Sequence, residues 1–129
     1  MQTAYITHSI CHKHFMGHLH PESPARLTAI DDRLHAAHLY DYLRHHDAPM
    51  AHRIHLARVH DSDYIDRIEA ASPYDGIIDL DGDTAMNPHT LDAAYHAAGA
   101  GIMAVDWIMQ GEVENAFIAC RPPGHHATR

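Results

Sequence analysis

The chain reads as an α/β protein, a parallel sheet with helices on its faces. Two observations carry that reading. Strand-like and helical runs alternate in the order β-α-(β)-α-α-β, which favours parallel strands joined by helical crossovers. The last strand-like run, Asn115 to Cys120, reads as buried and stops at Arg121-Pro122-Pro123-Gly124, which cannot continue a strand. The chain has 129 residues, 46% of them hydrophobic. That is enough for one core, so residues 1–129 are taken as a single domain and not as a disordered chain.

Each element has its own justification. Thr3 to Thr7 is a short β-favouring run and the first strand. A polar, histidine-rich loop follows to about Ser23. Ser23-Pro24 opens a helix, serine as the cap and proline at the first position, where no N–H is needed. Leu27, Ile30, Leu34 and Ala37 recur at helical spacing and extend it to about His45. His45 and His46 would then sit against the negative end of the helix dipole. Arg53 to Val59 alternates and is taken as a short strand. Asp61 or Ser62 starts a helix with Ile65 and Ile68 on one face, ending near Ala71. Ser72 to Gly76 is turn chemistry, and Ile77 to Leu80 is strand or loop. Pro88 to Gln110 is the longest helical signal, striped by Leu91, Ala94, Tyr95, Ala98, Ile102, Val105 and Met109, with Gly111 as its stop. Ala97 to Gly101 give this helix a thin waist that another backbone can approach, although each glycine costs about 1 kcal/mol of helix propensity.

Composition removes several kinds of function. Lys plus Arg is 9 and Asp plus Glu is 17, a net charge of -8 with histidine neutral. Such a surface repels phosphate backbones, so nucleic acid is not an expected partner. The longest apolar region, Ala97 to Met109, is too short to span a membrane and contains Asp106. The first residues show no basic start followed by an apolar stretch, so a cytoplasmic location is expected. Cys11 and Cys120 are too few for a disulfide framework and are read as reduced thiols. The unusual count is histidine, 16 in all. Acidification through its range should change the sign of the net charge.

The chemistry concentrates in Arg121-Pro122-Pro123-Gly124-His125-His126-Ala127, directly after a buried strand. In an open α/β sheet, ligands sit beyond the C-terminal ends of strands. Two adjacent imidazoles there can act as a general base and an acid or electrostatic partner. This run resembles the tandem-histidine motif of the histone deacetylase and acetylpolyamine amidohydrolase family. His20-Pro21-Glu22-Ser23-Pro24-Ala25-Arg26-Leu27 resembles the family's HPExPxRL start to its first helix, and Val59-His60 with Tyr64-Ile65 its VHxxxYI segment. Asp81-Gly82-Asp83-Thr84, followed by Ala93, Ala94, Ala98 and Gly99, resembles its DxDT stretch and small-residue helix. Asn115-Ala116-Phe117 leads into the tandem histidines in the family's order.

The resemblance implies an arginase-like, three-layer parallel sheet with flanking helices, of which this chain matches the N-terminal portion. It implies zinc-dependent hydrolysis of acetyl-lysine or acetylpolyamine amides. His126 would be the general base and His125 its acid or electrostatic partner. Asp83 would hold the substrate at the pocket rim, Gly124 would form pocket wall, and Arg26 would line an internal channel. The family's zinc ligands, orienting aspartates and transition-state tyrosine follow the tandem histidines, whereas this sequence stops at Arg129. The expectation is therefore a truncated domain, inactive alone, with no metal or only adventitious surface metal. The alternatives are a non-catalytic binding or assembly module with the same half-fold, and a histidine-rich metal-binding protein using Cys11, His12, His14, His18 and His20. An uncovered last strand and an apolar helix face predict a homo-oligomer. Asp79, Asp81 and Asp83 lack the rest of a calcium loop.

Overall fold

The computed structural model describes residues 2–129. Its centre is a three-stranded parallel sheet in the order β2-β1-β5. β1 is Thr3–Thr7, β2 is Arg44–Asp47 and β5 is Asn115–Ala119. Ile6 lies opposite His46 on one side and Ile118 on the other. Ala4, Tyr5 and Ile6 are all buried, as a strand paired on both edges and covered on both faces requires. β1 and β5 both end toward the same loops, so the segments after Thr7 and Ala119 meet.

α1 spans Ala25–Ala36. Pro24 is its boundary residue and no side chain caps it, so Ser23 does not play the capping part expected of it. The helix also stops well short of His45. His38 turns into the left-handed region at φ 56. The Leu39 N–H then reaches the Leu34 carbonyl and the His38 N–H the His35 carbonyl, both at 3.0 Å. These are the two bonds of a Schellman stop, built here on histidine instead of glycine. His45 and His46 consequently lie in β2, not at a helix end. His45 packs on Tyr5 and Tyr40, and His46 sits edge-on to Trp107.

The alternating run at Arg53 is a helical turn, α2 (Arg53–Leu56), not a strand. The His52 N–H donates to His55 Nδ1 at 3.3 Å and the His55 N–H to the His52 carbonyl at 2.9 Å, and Arg53 reaches across to Asp66 and Glu69. Ile54 faces water, so the alternation marked no buried face. α3 is Ser62–Ala71, with Ile65 buried. β3 (Ile78–Asp79) and β4 (Ala85–Met86) form a small antiparallel hairpin. α4 is Thr90–Met109 and lies over the sheet through Ala100 and Ala104. Its thin waist has a use: a Cβ on Gly99 would meet the Pro49 carbonyl oxygen at 1.8 Å. The backbone before α2 crosses α4 there, and the Ala51 N–H bonds the Tyr95 carbonyl at 3.0 Å. Gly111, at φ 74, ends the helix as its position predicts.

Candidate active site

Beyond the C-terminal ends of β1 and β5 lies a cavity of about 520 Å³. Its walls come from four parts of the chain: the loop after β1, α3, the β3–β4 hairpin with the start of α4, and the turn after β5. His14, Asp83, Met86, Gly124, His125 and His126 all line it. Gly124 makes the last turn possible, since its φ of 81 is a conformation that side-chain-bearing residues rarely adopt. The two tandem imidazoles stand at the surface, ring centroids 4.3 Å apart. Asp83 stands opposite on the hairpin, also exposed. Its backbone N–H donates to Asp81 Oδ1 at 2.8 Å. That bond, with Thr84 and His126 nearby, holds the Asp81 carboxyl below its usual range.

Behind this rim is a buried ion cluster. Arg121 is fully buried and makes a two-pronged pair with Glu22, both bonds 2.7 Å. Its remaining nitrogen donates to the carbonyls of Cys11 at 2.7 Å and His14 at 2.6 Å. The guanidinium thus clamps the loop after β1 to the start of the Pro-Pro-Gly turn, which sets where His125 and His126 project. His20 ties in the hairpin: its Nε2 donates to the Asp83 carbonyl at 2.8 Å, while its Nδ1 accepts from the Glu22 N–H at 3.1 Å. Arg26 lines neither this cavity nor its smaller neighbour. It is half-exposed and donates to the Cys120 carbonyl at 2.6 Å, bracing the end of β5.

Four of the five residues singled out in the sequence therefore share one cavity, and Arg26 stands behind it. Glu22 and Arg121 were not singled out, and His14 was named only among the metal-binding candidates of the histidine-rich loop. Glu22 and Arg121 each sit inside a recognised motif, and two charged residues held in turn segments are the signal that was available. Their pairing was not, because 99 positions separate them. Cys11, His12, His14, His18 and His20 do not gather: Cys11 and His14 are buried, while His12 and His18 point to solvent. Tyr95 donates to Glu69 beside the smaller cavity, as a packing residue.

The model for the histone deacetylase domain matches residues 20–129. The chain belongs to the histone deacetylase family. It is 36% identical over 107 residues to a histone deacetylase-like amidohydrolase of Pseudomonas aeruginosa, a match covering 83% of this chain and 28% of that protein. It is 34% identical over 116 residues to the human polyamine deacetylase HDAC10, covering 84% of this chain and 17% of the relative. The crystal structure of the HDA15 HD domain superposes with a TM-score of 0.88 at 31% identity, covering 98% of this chain and 37% of that one. The chain thus spans well under half the length of the proteins it matches. Full-length members of this family imply zinc. Among the described residues no group of three or more His, Cys, Asp or Glu side chains converges on a point that could hold a metal ion. These residues do not fit the zinc.

Proposed function

We propose that this chain supplies the substrate-facing wall and the proton-transfer pair of a deacetylase site acting on acetyl-lysine or acetylpolyamine amides. The observation that carries the reading is the cavity that holds Gly124, His125 and His126 on one side and Asp83 on the other. His126 takes the proton of the attacking water, and His125 provides the opposing charge and the proton for the departing amine. The Asp83 carboxylate accepts from donors on the substrate at the rim. Gly124 leaves room for the substrate's alkyl stem. Arg26 fixes the end of β5 through the Cys120 carbonyl. Because the metal ligands are not among these residues, the chain alone is expected to be inactive even with added zinc.

The test is a chimera in which residues 20–129 replace the matching segment of the Pseudomonas amidohydrolase. Zinc-dependent turnover of an acetyl-lysine peptide or acetylpolyamine, lost in His126→Ala and His125→Ala, is the expected result. A folded, zinc-loaded chimera without turnover would sink the proposal. We also propose that the isolated chain self-associates, on the support of the unpaired outer edge of β5 and the exposed apolar end of α4.

A further inference from the structure

The loop after β1 opens on a short 3-10 turn, Ser9–His12, and a histidine caps its start where serine, threonine or aspartate is the usual choice. The His8 backbone is extended, and its Nδ1 accepts from the Ile10 N–H at 3.0 Å. The Cys11 N–H reaches the His8 carbonyl and the Lys13 N–H the Ile10 carbonyl, both at 3.0 Å. A backbone N–H can only donate, so the neutral His8 ring carries its proton on Nε2. Against it on α4 stands His96, with ring centroids 4.1 Å apart. Neutral His96 has the opposite tautomer, because its Nδ1 lies 2.7 Å from the Asp92 carbonyl oxygen, which can only accept. Farther along the loop, Arg121 donates to the carbonyls of Cys11 and His14. One end of this segment is thus tied by a group that titrates near neutrality and the other by a permanent cation.

A second proton can enter His8 only at Nδ1, the atom that holds the turn. The ring is half-buried, so solvent protons reach it. We propose that His8 is a pH-operated latch on the loop that lines the cavity: neutral, it caps the turn at Ile10, and protonated, it sets donor against donor there and releases the start of the loop. The groups around the ring fix the direction of the response. Burial, and after it the His96 ring on α4, push the His8 pKa below its ordinary 6.5, while Asp47 at the end of β2 pulls it the other way. The Cys11 thiol, in the turn itself, is buried and free. A histidine depressed in the folded chain contributes stability above its unfolded value, so the latch is closed at and above about pH 6.5 and opens as pH falls below it. Arg121 keeps its charge throughout this range, so the release is local to the start of the turn. The latch does not depend on whether His125 and His126 turn over a substrate.

The experiment follows the isotope-labelled full chain by NMR from about pH 7.5 down to about pH 5, across the histidine range. The ring nitrogens of neutral His8 should show the proton on Nε2, and those of neutral His96 should show it on Nδ1. The Ile10 amide should shift with the His8 midpoint, which should lie below 6.5. Its protection from hydrogen exchange, corrected for the pH dependence of exchange itself, should fall about five-fold as His8 protonates, the worth of one hydrogen bond. His96→Gln should raise the His8 midpoint. His8→Asn keeps a capping acceptor without a titrating ring, so the Ile10 amide should stay protected through the range. His8→Ala should leave that amide open throughout. A proton on His8 Nδ1 in the neutral ring, an Ile10 amide indifferent to the His8 midpoint, or an unchanged pH response in His8→Asn would each overturn the latch.

Discussion

Arg121 and Glu22 illustrate how much can rest on two side chains. The guanidinium is fully buried and every one of its described contacts is a charge-assisted bond of 2.6–2.7 Å. Removing one partner strands the other charge out of water, and that costs about 3–5 kcal/mol. Glu22→Gln is therefore expected to lose this much in urea unfolding, whereas Glu22→Met with Arg121→Met should lose less than the single change, because no unpaired charge remains. Equal loss in single and double variants would mean that the pair acts only through its volume. His14 gives a second outcome, in pH. Unfolded, its imidazole titrates near its ordinary 6.5; folded, burial and Arg121 depress the pKa to about 4. Between those values the unfolded chain binds more protons, so the stability contributed by His14 is complete above about pH 6.5 and is lost as pH falls toward 4. The shift corresponds to a loss on the order of 3 kcal/mol. Unfolding free energy measured from pH 7 to pH 4.5 should carry this slope, and His14→Gln should flatten it. None of this pairing was legible in the sequence, because charge and burial are joined only by the tertiary fold. The tandem histidines, Asp83 and Gly124 were legible because each sits inside a short motif.

α4 holds two glycines that look alike in sequence and differ in the fold. Gly99 has a backbone against it, and Gly101 has nothing within 4 Å of the place a Cβ would take. Gly99→Ala must push Pro49 away from the helix, an overpacking worth about 1–3 kcal/mol of destabilisation. Gly101→Ala only raises helix propensity and should stabilise by up to about 1 kcal/mol. Thermal unfolding of the two variants should move in opposite directions, and a common direction would show that the crossing at Pro49 is not tight. The same contrast explains which boundaries the sequence revealed. The end of α4 was readable because glycine occupies the left-handed position, at Gly111. The end of α1 was not, because histidine occupies it, and the apolar spacing carried the reading on to His45. His38→Gly should relieve that conformation and stabilise by about 1 kcal/mol. The strand expected at Arg53 failed for another reason. Alternation predicts a strand only when one face is buried, and here Ile54 is exposed while Arg53 reaches for α3.

Across the chain as a unit, charge and apolar surface act on association together. The net charge is -8 with the 16 histidines neutral, and of these histidines only His14 is buried. Solubility should pass through a minimum near the calculated isoelectric point of 6.0. Above it, mutual repulsion opposes contact, and association must come from apolar surface. That surface exists on two neighbouring elements. Among the described residues β5 pairs only with β1, and its Phe117 and Ile118 are 49% and 39% exposed. On α4, Val105 and Met109 are 60% and 80% exposed. Trp107 is not part of this face, because Arg44 stacks over its ring at 4.4 Å and His46 closes its edge. On the proposed self-association, this open strand edge and apolar helix end meet their own copy across a two-fold axis. Light scattering at tens of micromolar should then report a dimer. Val105→Asp with Met109→Asp should return it to a monomer with its circular dichroism unchanged, since both side chains already face water. A chain that is monodisperse and monomeric at that concentration, before any substitution, would overturn the proposed self-association.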